Sequence, residues 1–187
     1  MKITLAKTAG FCFGVNRAVQ MVYDLIAEEK KACTLGPIIH NPQLVEELEK
    51  KSVRAVSSPD EVADDEILVI RSHGITKKLY DELVESGKQI ADATCPFVAK
   101  IHKIVNEHSK NGSIVLIAGD AKHQEVIGIA GHCEGEYIII SNESDIDELY
   151  NSGKISPEKD LIMVSQTTFN AQIWEKCQKK LKKVCTN

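Results

Sequence analysis

The sequence predicts an α/β protein made of two similar α/β lobes with mainly parallel sheets, and three observations carry that expectation. Short β-branched runs alternate with longer helical patterns throughout the 187 residues, the rhythm of strands joined by crossover helices. No low-complexity linker or sequence-level repeat interrupts the alternation. Thr94-Cys95-Pro96 falls near the midpoint, between a strand end and a helix start, and a proline at the first helical position suits a helix that begins there. A single doubly wound sheet is the competing arrangement. The midpoint break favours two lobes, 1–95 and 96–187, each of about 90 residues, a size that folds when packed on a neighbour.

In chain order, residues 2–5 alternate as a strand and lead into a helix over 15–29. A strand over 33–35 precedes a helix over 42–51, which Asn41 caps and Pro42 opens. A strand over 67–70 precedes a helix over 77–86, and a short strand follows at 89–91. The second half gives a helix over 96–110, a strand over 113–118 and a helix over 124–132. It continues with a strand at 137–140, a helix at 143–150, a strand at 161–164 and a helix at 172–183.

With 43% hydrophobic and 27% charged side chains, the chain reads as a soluble globular protein. The net charge of −4, with no long Lys/Arg stripe, excludes a nucleic-acid or anionic-membrane footprint and requires any anion to be held locally. The N-terminus lacks the apolar core of a signal peptide, and no apolar run approaches the ~20 residues of a membrane span, so a cytoplasmic protein is expected. In a reducing compartment the six cysteines are not a disulfide framework, and they contain no C-x-x-C pair.

Ligands of parallel sheets collect at the carboxyl ends of strands, beside helix N-termini. Cys12, flanked by Gly10 and Gly14, and Cys95, before Pro96, both stand at such places, where the helix dipole favours the thiolate that binds iron. Packing is the reading for Cys33, Cys133, Cys177 and Cys185. His40, His73 and His123 each lie between a strand and a helix N-terminus and together suggest a phosphate pocket, whereas His102 and His108 read as packing or surface residues. Glu125, in the first turn after His123, is a candidate acid, since repulsion from a neighbouring diphosphate helps a carboxyl hold a proton. A simple helix-start role for Glu125 is equally compatible with the sequence. Ser165-Gln166-Thr167-Thr168 offers hydroxyls that either bond a substrate or cap the next helix. No Gly-x-Gly-x-x-Gly or Walker A sequence is present, so nothing points to a bound nucleotide or nicotinamide.

Six segments, Gly10-Phe11-Cys12-Phe13-Gly14-Val15 with Arg17-Ala18, Ile39-His40-Asn41, Arg71-Ser72-His73-Gly74, Ala93-Thr94-Cys95-Pro96, His123-Gln124-Glu125-Val126 and Ser165-Gln166-Thr167-Thr168, taken in order resemble the 4-hydroxy-3-methylbut-2-enyl diphosphate reductase family. The resemblance implies two of the three lobes of a trefoil-shaped fold and a [4Fe–4S] cluster held by three cysteines, of which Cys12 and Cys95 match two. It further implies His40, His73 and His123 as diphosphate ligands, Glu125 as proton donor and Thr167 as its hydroxyl partner. Electrons would come from ferredoxin or flavodoxin. The products would be isopentenyl and dimethylallyl diphosphate, at the last step of the non-mevalonate isoprenoid route. The family's third cysteine lies in a later Cys-x-Ala-Thr segment followed by Arg-Gln, which Cys185-Thr186-Asn187 does not match. The expectation is a fragment of such an enzyme, favoured over a degraded copy by the intact upstream motifs. A non-catalytic module that binds diphosphate through its histidines is the alternative. An oxidoreductase of another chemistry would leave the ordered motifs unexplained.

Overall fold

The structure, a computed structural model, describes residues 3–7 and 9–185. The chain packs as two compact units: one takes the chain through Ser72 together with Leu83–Pro96, the other His73–Glu82 and the chain from Phe97 onward. His73 therefore belongs to the same unit as His123.

In the first unit, helix α1 (Phe13–Ala27) precedes β1 (Ala32–Leu35), α2 (Pro42–Lys50), β2 (Arg54–Val56), a short 3-10 turn (Pro59–Glu61), β3 (Ile67–Ile70) and β4 (Ile90–Asp92). The four strands form a parallel sheet in the order β2-β1-β3-β4. β1 is interior and wholly buried, which is why its Ala-Cys-Thr-Leu sequence shows no polar alternation. α1 buries Gly14, Ala18, Val19 and Val22, a stripe at helical spacing that packs with Ile38, Leu44, Leu48 and Val69. Asn41 caps α2, its Oδ1 accepting the Leu44 N–H at 3.0 Å, so the turn after β1 ends at a fixed point. Helix α3 (Lys77–Glu85) contributes residues to both units.

The second unit holds most of α4 (Pro96–Lys110), then β5 (Ile114–Ala118), α5 (Gln124–Ala130), β6 (Tyr137–Ile140), α6 (Glu143–Asn151), β7 (Leu161–Ser165) and α7 (Ala171–Cys185). Its parallel sheet has the order β6-β5-β7. Strand pleating sends alternate residues of β5 to opposite faces. Ile114, Leu116 and Ala118 join Ile146, Leu149, Ile155 and Cys177 on one side, while Val115 and Ile117 join Val105, Val126 and Ile129 on the other. Helices thus cover both faces, and each large apolar side chain so buried contributes about 1.5–3 kcal/mol.

Of the expected strand over 2–5, the described residues 3–5 form no strand. Lys2 lies outside the described residues, and Ile3 and Leu5 are 80% and 83% exposed with no strand assigned. Alternation gives a segment a face but no partner, and a strand needs a partner's ladder. Conversely β2, which periodicity did not reveal because it has only three residues, pairs Arg54, Ala55 and Val56 with Cys33, Thr34 and Leu35. No helix among the described residues is long and apolar enough to cross a membrane.

Candidate active site

In each unit the chain leaves a central strand, crosses to one neighbour and then returns to the other side, so a crevice opens at the carboxyl ends of β1 and β3 and again at those of β5 and β7. His40 and His73 follow β1 and β3, and His123, Glu125 and Thr167 follow β5 and β7, whereas Cys95 follows the edge strand β4 and Cys12 opens α1 with no strand assigned before it among the described residues. In the second crevice a cavity of about 420 Å³ is lined by Gly119, Asp120, Gln166 and Thr168 among others.

In the first unit Cys12 is the exposed N-cap of α1, and its side chain makes no capping bond. Cys95 immediately precedes Pro96 at the start of α4, with its N–H donating to the Ser72 carbonyl at 2.9 Å. A Cβ on Gly14 would lie 2.4 Å from Cys95 Sγ, so the first turn of α1, which begins beside Cys12, packs against the Cys95 sulfur as only glycine permits. Arg17, one turn along α1, donates to the carbonyls of Thr94 at 3.2 Å and Asp92 at 3.3 Å and ties the two thiol-bearing segments together. Two free thiols at one end of a unit, one accessible and one beside a side-chain-free turn, fit part of an iron-sulfur ligand set.

The remaining cysteines are of a different kind. Burial pushes the Cys33 thiol up to about 11, and burial does the same for Cys133, which also packs on the Val115 side of the core. Cys177 is fully buried and Cys185 is partly buried against the same core cluster. These are small hydrophobes in a core.

His40 is exposed at the end of the turn after β1 and lines a depression of about 470 Å³ with Pro37, Asn41, Pro42 and Val45 among others. In the second unit His123 is the N-cap of α5. Its Nδ1 accepts the Glu125 N–H at 3.1 Å, which puts the proton of the neutral ring on Nε2. The His73 ring meets the His123 ring edge-on, with centroids 5.5 Å apart.

Glu125 is only 2% exposed, a rare state for a carboxyl, and its two oxygens are separately engaged. The Thr167 N–H donates to Oε1 at 2.7 Å and the Thr167 hydroxyl donates to Oε2 at 2.9 Å. Thr167 itself is exposed just beyond β7, so a buried carboxyl is bonded by an exposed residue.

Two arrangements here were not expected, the bonding of Gln166 and the stacking of His102. Gln166 is buried and spans the crevice: its Oε1 accepts the Asp120 N–H at 3.3 Å and its Nε2 donates to Thr168 Oγ1 at 2.8 Å, fixing the turns on either side of it. His102, read as packing or surface, is buried and stacks on His132 with centroids 3.9 Å apart and planes at 17°. His108 is exposed.

A family profile described as LytB protein matches residues 3–187. Among similar curated proteins, the 4-hydroxy-3-methylbut-2-enyl diphosphate reductase of Caldanaerobacter subterraneus subsp. tengcongensis is 42% identical over 179 residues, an alignment covering 94% of this chain and 60% of that one. The protein of that name from Clostridioides difficile is 39% identical over 175 residues, covering 93% and 61%. The chain thus spans about 60% of the length of these relatives. Among solved structures, one described as (E)-4-hydroxy-3-methyl-but-2-enyl diphosphate reductase, the terminal enzyme of the non-mevalonate pathway, matches with a TM-score of 0.82 and 35% identity, covering 97% of this chain and 64% of that one. The E-1-hydroxy-2-methyl-but-2-enyl-4-diphosphate reductase of Plasmodium falciparum matches with a TM-score of 0.83 and 30% identity, covering 95% and 55%. The paired parallel α/β sheets agree with the fold the sequence implied.

Proposed function

This chain belongs to the LytB protein family, and from that premise we propose that it forms the substrate-binding and proton-delivering part of a 4-hydroxy-3-methylbut-2-enyl diphosphate reductase. The reaction is a reductive dehydroxylation at the terminal step of the non-mevalonate isoprenoid route. Two electrons and two protons replace the allylic hydroxyl by hydrogen, water leaves, and isopentenyl and dimethylallyl diphosphate form. The observation that most supports this reading is the buried Glu125 carboxyl bonded through both oxygens to Thr167, in the unit that also carries His73 and His123.

His40, His73 and His123 hold the diphosphate, with ring N–H groups donating to phosphate oxygens. His123 suits this role because its Nδ1 is spent on the helix cap and its proton therefore sits on Nε2. Glu125 carries a proton into the site, and the Thr167 hydroxyl stands between it and the substrate, able to donate to the departing oxygen while accepting from a protonated Glu125. Gln166 ties the Thr167 turn to the turn after β5 by bonding Thr168 and Asp120. Cys12 and Cys95 supply two of the thiolates that hold a [4Fe–4S] cluster. When bound, the cluster supplies single electrons received from ferredoxin or flavodoxin, and a Lewis-acidic iron for the leaving oxygen.

The test is turnover of the diphosphate substrate by the whole reductase containing this chain, reconstituted anaerobically. Glu125→Gln is expected to retain its iron yet slow turnover by roughly 10²–10⁴-fold. An unchanged rate would assign the proton to another group. The competing reading, a non-catalytic diphosphate-binding module, predicts pyrophosphate binding by calorimetry with no turnover in the reconstituted protein.

A further inference from the structure

Three elements of the second unit meet behind the two histidines at its crevice: the segment 73–77, helix α5 and helix α4. α5 carries His123 and Glu125 at its start, and its later part is shaped to receive the 73–77 segment. A Cβ on Gly128 would lie 3.6 Å from the His73 carbonyl and 3.7 Å from that of Ile75, and one on Gly131 would lie 2.4 Å from Thr76 Cγ2. The Lys77 N–H donates to the Gly131 carbonyl at 3.3 Å. Just beyond the helix, His132 Nε2 lies 3.1 Å from the Ile75 carbonyl, which accepts its hydrogen. His102, from α4, lies flat against the far face of that ring, and its own buried Nε2 has no hydrogen-bond partner, so its contribution is the stack and not a polar bond.

We infer that His132, held in place by the stacked ring of His102, is a positioning residue that clamps the segment carrying His73 onto the helix carrying His123 and Glu125. Two histidines from separate segments can grip one diphosphate only if their backbones keep a fixed spacing, and a hydrogen bond to a carbonyl two residues from His73 sets it. Gly131 allows the close approach, and the imidazole supplies the directional bond that close packing alone lacks. Burial lowers the proton affinity of both rings, and for His102, with the charge of His132 as a second cause, the value falls to about 3. Both rings are therefore neutral at physiological pH and stack without repulsion.

The inference rests on the diphosphate reading above, and the experiment separates the two. The chain is compared with His132→Asn, whose amide is too short to reach the Ile75 carbonyl, and His132→Gln, whose amide nitrogen can occupy the place of Nε2. Amide hydrogen exchange at Lys77 and calorimetric affinity for inorganic pyrophosphate are measured for each. H132N is expected to exchange Lys77 about tenfold faster and to bind pyrophosphate about tenfold more weakly, with H132Q within about twofold of the parent in both. Parent-like exchange in H132N, or failure of H132Q to rescue, overturns the clamp. If the parent chain binds no pyrophosphate, the diphosphate reading falls and the exchange data alone judge the clamp. Should H132N fail to fold, His102→Phe, which keeps a stacked ring, must leave Lys77 exchange unchanged while His102→Ala accelerates it; equal behaviour of those two overturns the inference.

Discussion

In the first unit Cys12 caps α1 without using its side chain and is exposed, as is His40, while Cys95 is half-buried beside Gly14. In the second unit the chemistry-bearing residues are already bonded to one another, with both Glu125 oxygens taken by Thr167 and His123 Nδ1 taken by the Glu125 N–H. The contrast separates an exposed thiol that makes no capping bond from groups that hold one another in a fixed geometry. A thiol destined for a metal gains nothing from an internal bond, since the metal would have to break it. A buried carboxyl left without donors would cost several kcal/mol, so it must be satisfied in advance.

Substitution should therefore act differently at the two ends. In the whole reductase, Cys12→Ser is expected to abolish iron retention and turnover together while leaving the melting temperature of the iron-free protein unchanged, measured by iron assay and calorimetry. Retained iron would remove Cys12 from the ligand set. Thr167→Val should do the opposite and destabilise even the iron-free chain. It strips the donor from Glu125 Oε2, for a loss of about 1.5–3 kcal/mol in urea unfolding, and Thr167→Ser should restore it. An unchanged midpoint would show that solvent reaches that oxygen.

Acid titration probes the second unit further. The folded-state value of His102, about 3, lies below the ordinary histidine value of ~6.5, so between them the unfolded chain binds the extra proton. Its contribution to stability is complete above pH ~6.5 and is lost as the pH falls toward 3, with a slope of at most about 1.4 kcal/mol per pH unit. His102→Phe should flatten that slope in denaturation curves taken from pH 7 to 4; an identical slope would assign it elsewhere. The smallest expected effect belongs to the first unit, where Asn41→Ala removes the α2 cap at a cost of about 1 kcal/mol, again read by urea unfolding.

Much of this was legible in the sequence because it is local. Helix spacing along α1 and α4, the Asn41-Pro42 start of α2, and strand ends punctuated by glycine and histidine all signal within a few residues. What sequence reasoning missed depends on partners far along the chain. The His102 ring comes from α4 and the His132 ring from the turn after α5, and neither neighbourhood betrays the stack. Gln166 looked like one polar residue in a strand-end motif until Asp120 and Thr168 proved to be its two partners. The same reason explains the strands: residues 3–5 have the alternation and find no ladder, while Arg54–Val56 has almost no pattern and finds one beside β1. The Glu125–Thr167 pair lies between these extremes. Its members were named from their motifs, but only folding determines that Glu125 is buried while Thr167 is exposed.

The placement of β5 at the centre of its sheet bears on how this protein is made. Its register with β6 runs Val115↔Tyr137 to Ala118↔Ile140, whereas its other edge is closed only by β7, at Ile114↔Leu161 to Ala118↔Ser165. As the chain emerges from the ribosome, Ile-Val-Leu-Ile-Ala therefore gains one neighbour early and spends the whole synthesis of α6 with the other edge open. Parallel pairing across such a separation is slow, and an apolar edge of this composition attracts other chains. Nascent chains stalled before Leu161 are thus expected to aggregate more readily than those in which β7 has emerged, and a stall-site series assayed for solubility should show recovery once β7 is out.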